Sequence, residues 1–294
     1  MICTVRILIV SLFFSVAAAQ TPAVENALFW EIQGNGLTQP SYLFGTYHLL
    51  GSHYADSLTN VMSRFHTCRT MVGEIVYDST LAFRLINAAR MKGTTLDKLL
   101  SPAIYNQTAA WLKELTGYDL QYFNGFNPMT VQLLIATHLQ QKYYPINSTT
   151  DAPLDLYFQS LARQNQRPVA GLETFDDQVR ALYDQFNYER QAELLTQYVL
   201  DKDRALQETV TLLDQYRHQN LGQMEKALSS QDYTAAELQV LVTDRNRKWA
   251  EELPGLLKDG SAFIAVGALH LAGRDGLVSL LRNAGYTVTP LPLR

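Results

Sequence analysis

SYLFGTYHLLG, residues 41–51, and AFIAVGALHLAG, residues 262–273, write the same short phrase near opposite ends of a 294-residue chain. Each runs an apolar stretch into G-x-x-H-L-x-G and closes on a histidine, His48 in the first and His270 in the second. A strand delivers the chain to the edge of a sheet, where glycine permits a turn or a close backbone approach. The histidine three residues on then stands beyond the strand's carboxyl end, the place where open α/β sheets bind ligands. With 16 Gly and 6 His in the chain, a bare G-x-x-H is expected by chance ~0.3 times, and the second glycine cuts that to ~0.02. Two copies therefore read as two sides of one crevice.

The elements around these phrases indicate an α/β fold. Strands over 27–33 and 41–47 form a hairpin through the polar, glycine-bearing stretch 34–40. Leu58, Val61, Met62 and Phe65 have helical spacing behind an Asp56 or Ser57 cap, and TMVGEIV, residues 70–76, reads as a buried strand. The middle of the chain is helical, with helices expected over 81–91, 95–100, 102–116 and 128–142. Long helices follow over about 175–229 and 234–257, after a short strand over 167–170. The end returns to strand (263–266), helix (276–284) and strand (286–290). The economical topology is a central mixed sheet built from the N- and C-terminal segments, with a large helical middle, approximately residues 80–257, packed over it as a cap. No linker rich in Pro, Gly or Ser divides the chain, so residues 20–294 read as a single domain.

Composition narrows the function classes. Arg6, the apolar run 7–16 and Ala17-Ala18-Ala19 form a signal peptide over residues 1–19, with cleavage before Gln20. The expected location is periplasmic or extracellular. Cys68 is then the one remaining cysteine, so stability rests on a hydrophobic core rather than a disulfide. A net charge of −4, without a basic stripe, argues against a nucleic-acid partner. No later stretch is apolar and long enough to span a bilayer. G-x-S-x-G is missing, and so is a glycine-rich phosphate loop.

A third ionisable group joins the histidines. Glu74 follows Gly73 near the end of a buried strand, where a carboxylate is costly unless paired, hydrogen-bonded or metal-bound. Two histidines and a glutamate form the ligand set of many catalytic zinc sites and match the two-histidine, one-carboxylate face used by Mn, Co or Fe. Glu173 follows a short strand and a glycine in the same way. It reads as a further ligand, a general base or a group holding a histidine, or else as an acidic residue at a helix start capped by Thr174. Arg245 reads as a clamp for a carboxylate or oxyanion, or as a solvent-facing helix arginine beside Asp244. His53 reads as an exposed loop residue, His138 as a core or interface histidine, and Cys68 as a small hydrophobe.

The chain also resembles the TraB/GumN family, related to the Tiki proteases of animals. The resemblance covers nearly all of residues 20–294. It is carried by LFWEIQGNG and SYLFGTYH at the start, TMVGEIV, the central PVAGLETFDDQ, RNRKWA at 245–250, and FIAVGALHLAGRDGLVSLLRNAGYTV at the end. It implies an α/β fold shared with erythromycin-esterase-like and ChaN-like proteins. It also implies a divalent-metal-dependent hydrolase acting on peptide bonds, with a peptide or protein as substrate. On matched positions it assigns His48, Glu74 and His270 to the metal or catalytic site, and Glu173, Arg245 and Asn246 also match family motif positions. On the hydrolase reading the expected catalytic residues are Glu74 or Glu173 as general base and Arg245 with Asn246 steadying the oxyanion. The chain departs from the family at Leu154, where a glycine usually precedes the aspartate, so Asp155 is left outside the expected site. Two alternatives use the same crevice: a protein that binds peptide, haem or metal without turnover, and a metal-independent esterase.

Overall fold

The computed structural model describes residues 25–143, 152–229 and 232–294; the signal peptide expected over 1–19 lies outside them. Among the described residues six strands form one sheet: β1 (Phe29–Gly34), β2 (Ser41–Thr46), β3 (Thr70–Gly73), β4 (Val169–Gly171), β5 (Ala262–Gly267) and β6 (Tyr286–Pro290). Their order in space is β4-β3-β5-β2-β1-β6. β4, β3, β5 and β2 run parallel to one another, while β1 pairs antiparallel with both β2 and β6. This is the mixed α/β sheet expected from the sequence, with the two repeated phrases on adjacent strands. Its one contribution from the helical middle is β4, a three-residue edge strand in register with Met71, Val72 and Gly73.

β2 is buried along its whole length and β5 along all but its last residue, as central strands covered on both faces must be. Phe263 of β5 packs at 4.9 Å from Phe158 and 5.1 Å from Phe65, ring centre to ring centre. Those rings come from helices Leu154–Gln164 and Thr59–Thr67 and fix both against the sheet. A second cluster, including Leu96, Trp111, Leu112, Val131, Ile135, Leu195 and Val199, lies wholly within the helical middle. Tyr216 ties that middle to the sheet by donating its buried hydroxyl to Gly45 O at 2.8 Å. No helix among the described residues is long and apolar enough to cross a membrane.

Several element limits differ from the sequence reading, each for a local reason. The helix expected over 56–65 is two, Ser52–Asp56 and Thr59–Thr67, broken where Leu58 turns inward and becomes fully buried. His53 therefore sits on a helix rather than in a loop. The helical stretch expected over 175–229 is divided where Asn187 and Asp201 accept bonds from the backbone N–H of Arg190 and Arg204, each starting a new helix. The strand at 70–76 ends at Gly73, which leaves Glu74 just past the sheet rather than within it.

Gly45 shows why the first repeated phrase needs its glycine. A Cβ there would stand 3.0 Å from Ala268 Cα and 3.1 Å from Leu271 Cδ2, in the helical turn Ala268–Leu271 that carries His270. The backbone atom cannot move aside cheaply. Gly45→Ala is expected to cost about 1–3 kcal/mol by overpacking, lowering the thermal midpoint by roughly 2–10 °C for a domain of this size. An unchanged midpoint in thermal unfolding would mean that the two phrases do not pack as described.

Candidate functional site

Because β4, β3, β5 and β2 are neighbours and run parallel, their carboxyl ends open on one edge of the sheet. Each delivers one ionisable side chain just beyond that edge: Glu173 after β4, Glu74 after β3, His270 after β5 and His48 after β2. The two acidic turns are joined directly, since the backbone N–H groups of Leu172 and Glu173 both donate to Glu74 O, at 3.0 and 2.9 Å. Thr174 caps the following helix through a capping box with Asp177, which turns the chain away and leaves Glu173 facing inward.

Both histidines are held by their Nδ1 atoms. His48 Nδ1 lies 2.7 Å from Asp155 Oδ2, and Asp155 Oδ1 accepts from Thr46 Oγ1 at 2.7 Å. His270 Nδ1 lies 2.7 Å from Asn246 Oδ1, while Asn246 Nδ2 donates to Asp275 O at 2.9 Å. An acceptor opposite Nδ1 assigns a proton to that nitrogen and turns Nε2 toward the site. The side chains meet at Gly267. A Cβ placed there would be 3.3 Å from Glu74 Oε1, 3.6 Å from His48 Nε2 and 3.6 Å from His270 Cδ2. Gly267 N also donates to Glu74 Oε1 at 2.8 Å. The glycine of the second phrase thus leaves open the space into which the other groups point.

Arg245 enters this space from helix Asp244–Lys258, which follows a π-helical turn, Gln239–Thr243. Its Nη2 donates to Glu74 Oε2 at 2.6 Å and to Glu173 Oε1 at 2.7 Å, and its Nε donates to Glu173 Oε2 at 3.1 Å. Nη1 donates to His270 Nε2 at 3.2 Å and to Leu241 O at 3.1 Å. The guanidinium lies over the Trp249 ring at 4.7 Å, and that ring stands 4.5 Å from His270. Only 11% of the Arg245 side chain is exposed, against 9% for Glu74 and 2% for Glu173.

The charges follow from this packing. Burial pushes the His270 imidazole down to about 3, against the pull of Glu74 and with Arg245 adding to the effect, so the ring is neutral. Burial alone would raise Glu74, but its positive surroundings hold the carboxyl at about 2. With His270 neutral, Arg245 and the raised His48 carry the positive charge that faces Glu74. Burial raises Glu173, with Arg245 opposing. The Asp155 carboxylate raises His48, and because 59% of that side chain is exposed, solvent screens part of the gain.

The donor chemistry suits a divalent cation. Two imidazoles present oriented Nε2 atoms, and three carboxylates, Glu74, Glu173 and Asp155, stand against one guanidinium. As arranged, however, no group of three His, Cys, Asp or Glu side chains among the described residues is disposed to hold a metal. His270 Nε2 and Glu74 Oε1 are 4.0 Å apart, and the His270 lone pair faces Arg245. The guanidinium stands between these groups.

All six residues singled out from the sequence, His48, Glu74, Glu173, Arg245, Asn246 and His270, come together here. Two roles change. Asn246 is 1% exposed and holds His270, so its amide is spent on orientation rather than on an oxyanion. Arg245 is buried and bonded to two carboxylates rather than solvent-facing. Asp155, excluded on the sequence, lies directly behind His48. Leu154 there is fully buried in the core and leaves the aspartate's approach unimpeded. The available signal was Asp155 itself, an acid in the first turn of a helix just after Pro153. Trp249 and Gln178, whose Nε2 donates to Glu74 Oε2 at 3.4 Å, were also missed. His138 Nδ1 faces Leu134 O on its own helix. Cys68 is buried, with burial pushing its thiol up to about 12.

The model of the TraB/PrgY/gumN family matches residues 28–290, and the chain belongs to that family. It is 24% identical to "Metalloprotease TIKI2" of Danio rerio over 318 aligned positions, which cover 91% of this chain and 61% of that protein. The corresponding protein of Xenopus tropicalis is also 24% identical, with 91% and 60% covered. The chain therefore spans about three fifths of the length of these relatives. No solved structure gives a significant match.

The lowered Glu74 carboxyl has a measurable consequence. A folded-state value of about 2, below the ordinary 4.5, means stability that is present above pH 4.5 and lost as pH falls through 2. Glu74→Gln breaks a buried ion pair and is expected to cost about 3–5 kcal/mol at neutral pH. In urea unfolding that cost should shrink on acidification from pH 4.5 toward 2. A cost that stays constant over that range would contradict the ion pair.

Proposed function

We propose that this protein is an exported, divalent-metal-dependent hydrolase that cleaves peptide bonds in a peptide or protein substrate. Residues 20–294 would act as one domain. The observation that carries the reading is the convergence of His48 Nε2, Glu74 Oε1 and the His270 ring around Gly267, with both Nδ1 atoms held by acceptors. The 24% identity to two proteins named as metalloproteases supports it, while export rests on the reading of residues 1–19.

His48, Glu74 and His270 would hold the metal, which is Mn, Co, Zn or Fe on donor chemistry. When bound, such an ion lowers the pKa of a water and polarises a carbonyl. Glu173, raised by burial, stands beside the same space and accepts a proton as general base. Arg245 offers guanidinium N–H groups to the negative charge that develops on the attacked carbonyl. Asp155 and Asn246 orient the two imidazoles.

A second reading is favoured by one specific observation, the hydrogen bond from Arg245 to His270. In it no metal enters, and His48, backed by Asp155, acts alone as general base in a metal-independent esterase. Treatment with chelator separates the two. For the metal hydrolase, cleavage of a peptide library should disappear on chelation and return with Mn, Co, Zn or Fe. His48→Ala and His270→Ala should each lower it by roughly 100-fold or more with an unchanged circular-dichroism spectrum. Full activity in a metal-free, chelated sample would overturn the first reading. Peptides bound but never cleaved, with any metal added, would make the protein a binder.

A further inference from the structure

We propose that Arg245 and the metal are alternative occupants of one cation position, so that loading the site displaces the guanidinium from His270 and Glu74. The inference rests on the metal-dependent reading above and concerns what that reading requires of this chain.

The exclusive atom is His270 Nε2. A neutral imidazole whose Nδ1 carries the proton has one lone pair to give, at Nε2. Arg245 Nη1 stands 3.2 Å from it. A metal bound there needs that lone pair at about 2.0–2.1 Å, so the two contacts cannot coexist. Glu74 is different, because each carboxylate oxygen accepts more than one partner. Its Oε1 keeps the Gly267 N–H bond while facing the open space.

Charge gives the same answer. Glu74 and Glu173 are both buried, and a carboxylate taken out of water needs a compensating cation. In the arrangement described, the guanidinium fills that role for both. A divalent ion added without moving Arg245 would set two cations side by side in a dry pocket. An ion added with Arg245 displaced leaves each carboxylate a partner, because Nε and Nη2 together grip Glu173 from one edge of the guanidinium and Nη1 points the other way.

The surroundings permit such a shift. The π-helical turn Gln239–Thr243 lies immediately before Arg245, and its Leu241 carbonyl holds Nη1. Such turns are rare inside helices and recur at functional sites. Trp249 presents one apolar face to the guanidinium and its N–H to Glu173 Oε2 at 3.3 Å, a surface along which a planar cation can slide. The consequence is a site that is neutralised when empty and whose affinity for metal is reduced by the fraction of molecules in which Arg245 is in place.

Isothermal titration of Zn2+ into the chelator-treated protein tests this without an activity readout. Arg245→Gln should bind zinc at least about 10-fold more tightly than the native protein, whereas Asp155→Asn, which only loosens His48, should bind it about 10–100-fold more weakly. If Arg245→Gln does not fold, Arg245→Lys keeps a positive charge for the carboxylates but not the rigid fork, and it too should bind zinc more tightly than the native protein. Equal or weaker binding by the folded Arg245 variant overturns the competition and leaves the metal reading intact. Failure of the native protein and every variant to bind zinc, Mn2+ or Co2+ overturns the metal reading, and this inference with it.

Discussion

Two carboxylates at neighbouring strand ends, both out of water, need a positive charge between them. The Arg245 guanidinium supplies it, and the functional half of the sheet depends on that contact. Arg245 is 171 positions from Glu74 and 72 from Glu173, so one side chain fastens the helix Asp244–Lys258 to the ends of β3 and β4. The same helix contributes Asn246 to His270 and Trp249 to both His270 and Arg245. Removing the guanidinium would leave two charges unpaired and loosen the turn that carries the second histidine. Stability and chemistry are thus drawn from the same few atoms.

The repeated phrase acquires a reciprocal logic in three dimensions. Gly45 of the first copy makes room for the turn of the second, and Gly267 of the second leaves open the space toward which His48 and Glu74 point. Each histidine is oriented from outside its own copy, His48 by Asp155 and His270 by Asn246. The likeness ends at the second glycine. Gly273 adopts a positive φ of 76° with Glu225 packed against it, whereas Gly51 forms a bridge to Pro153. That bridge, with the Leu154 N–H donating to Leu50 O at 2.9 Å, is what brings Asp155 beside His48.

The sequence disclosed the site's principal donors because they follow a local rule. A strand, a glycine and an ionisable residue recur at His48, Glu74, Glu173 and His270, and all four strands are parallel and adjacent. The centre of the sheet was legible for the same reason, since β2, β3 and β5 are buried and largely apolar. What escaped was non-local. Asp155 touches His48 across 107 positions, and no spacing announces it. Asn246 lay next to an arginine and was read by its neighbour rather than by its own partner. Arg245 read equally as a surface residue, because nothing in RNRKWA says which face of that helix is buried. The helix limits near 58, 187 and 201 turned on single caps or inward-facing side chains, which periodicity alone does not register.

Anomalous diffraction from a crystal loaded with zinc, manganese or cobalt tests the central claim most directly. The account expects one strong peak within bonding reach of His48 Nε2, Glu74 Oε1 and His270 Nε2, beside Gly267, with Arg245 withdrawn from His270. A peak elsewhere, or no peak with Arg245 still donating to His270 Nε2, would contradict it.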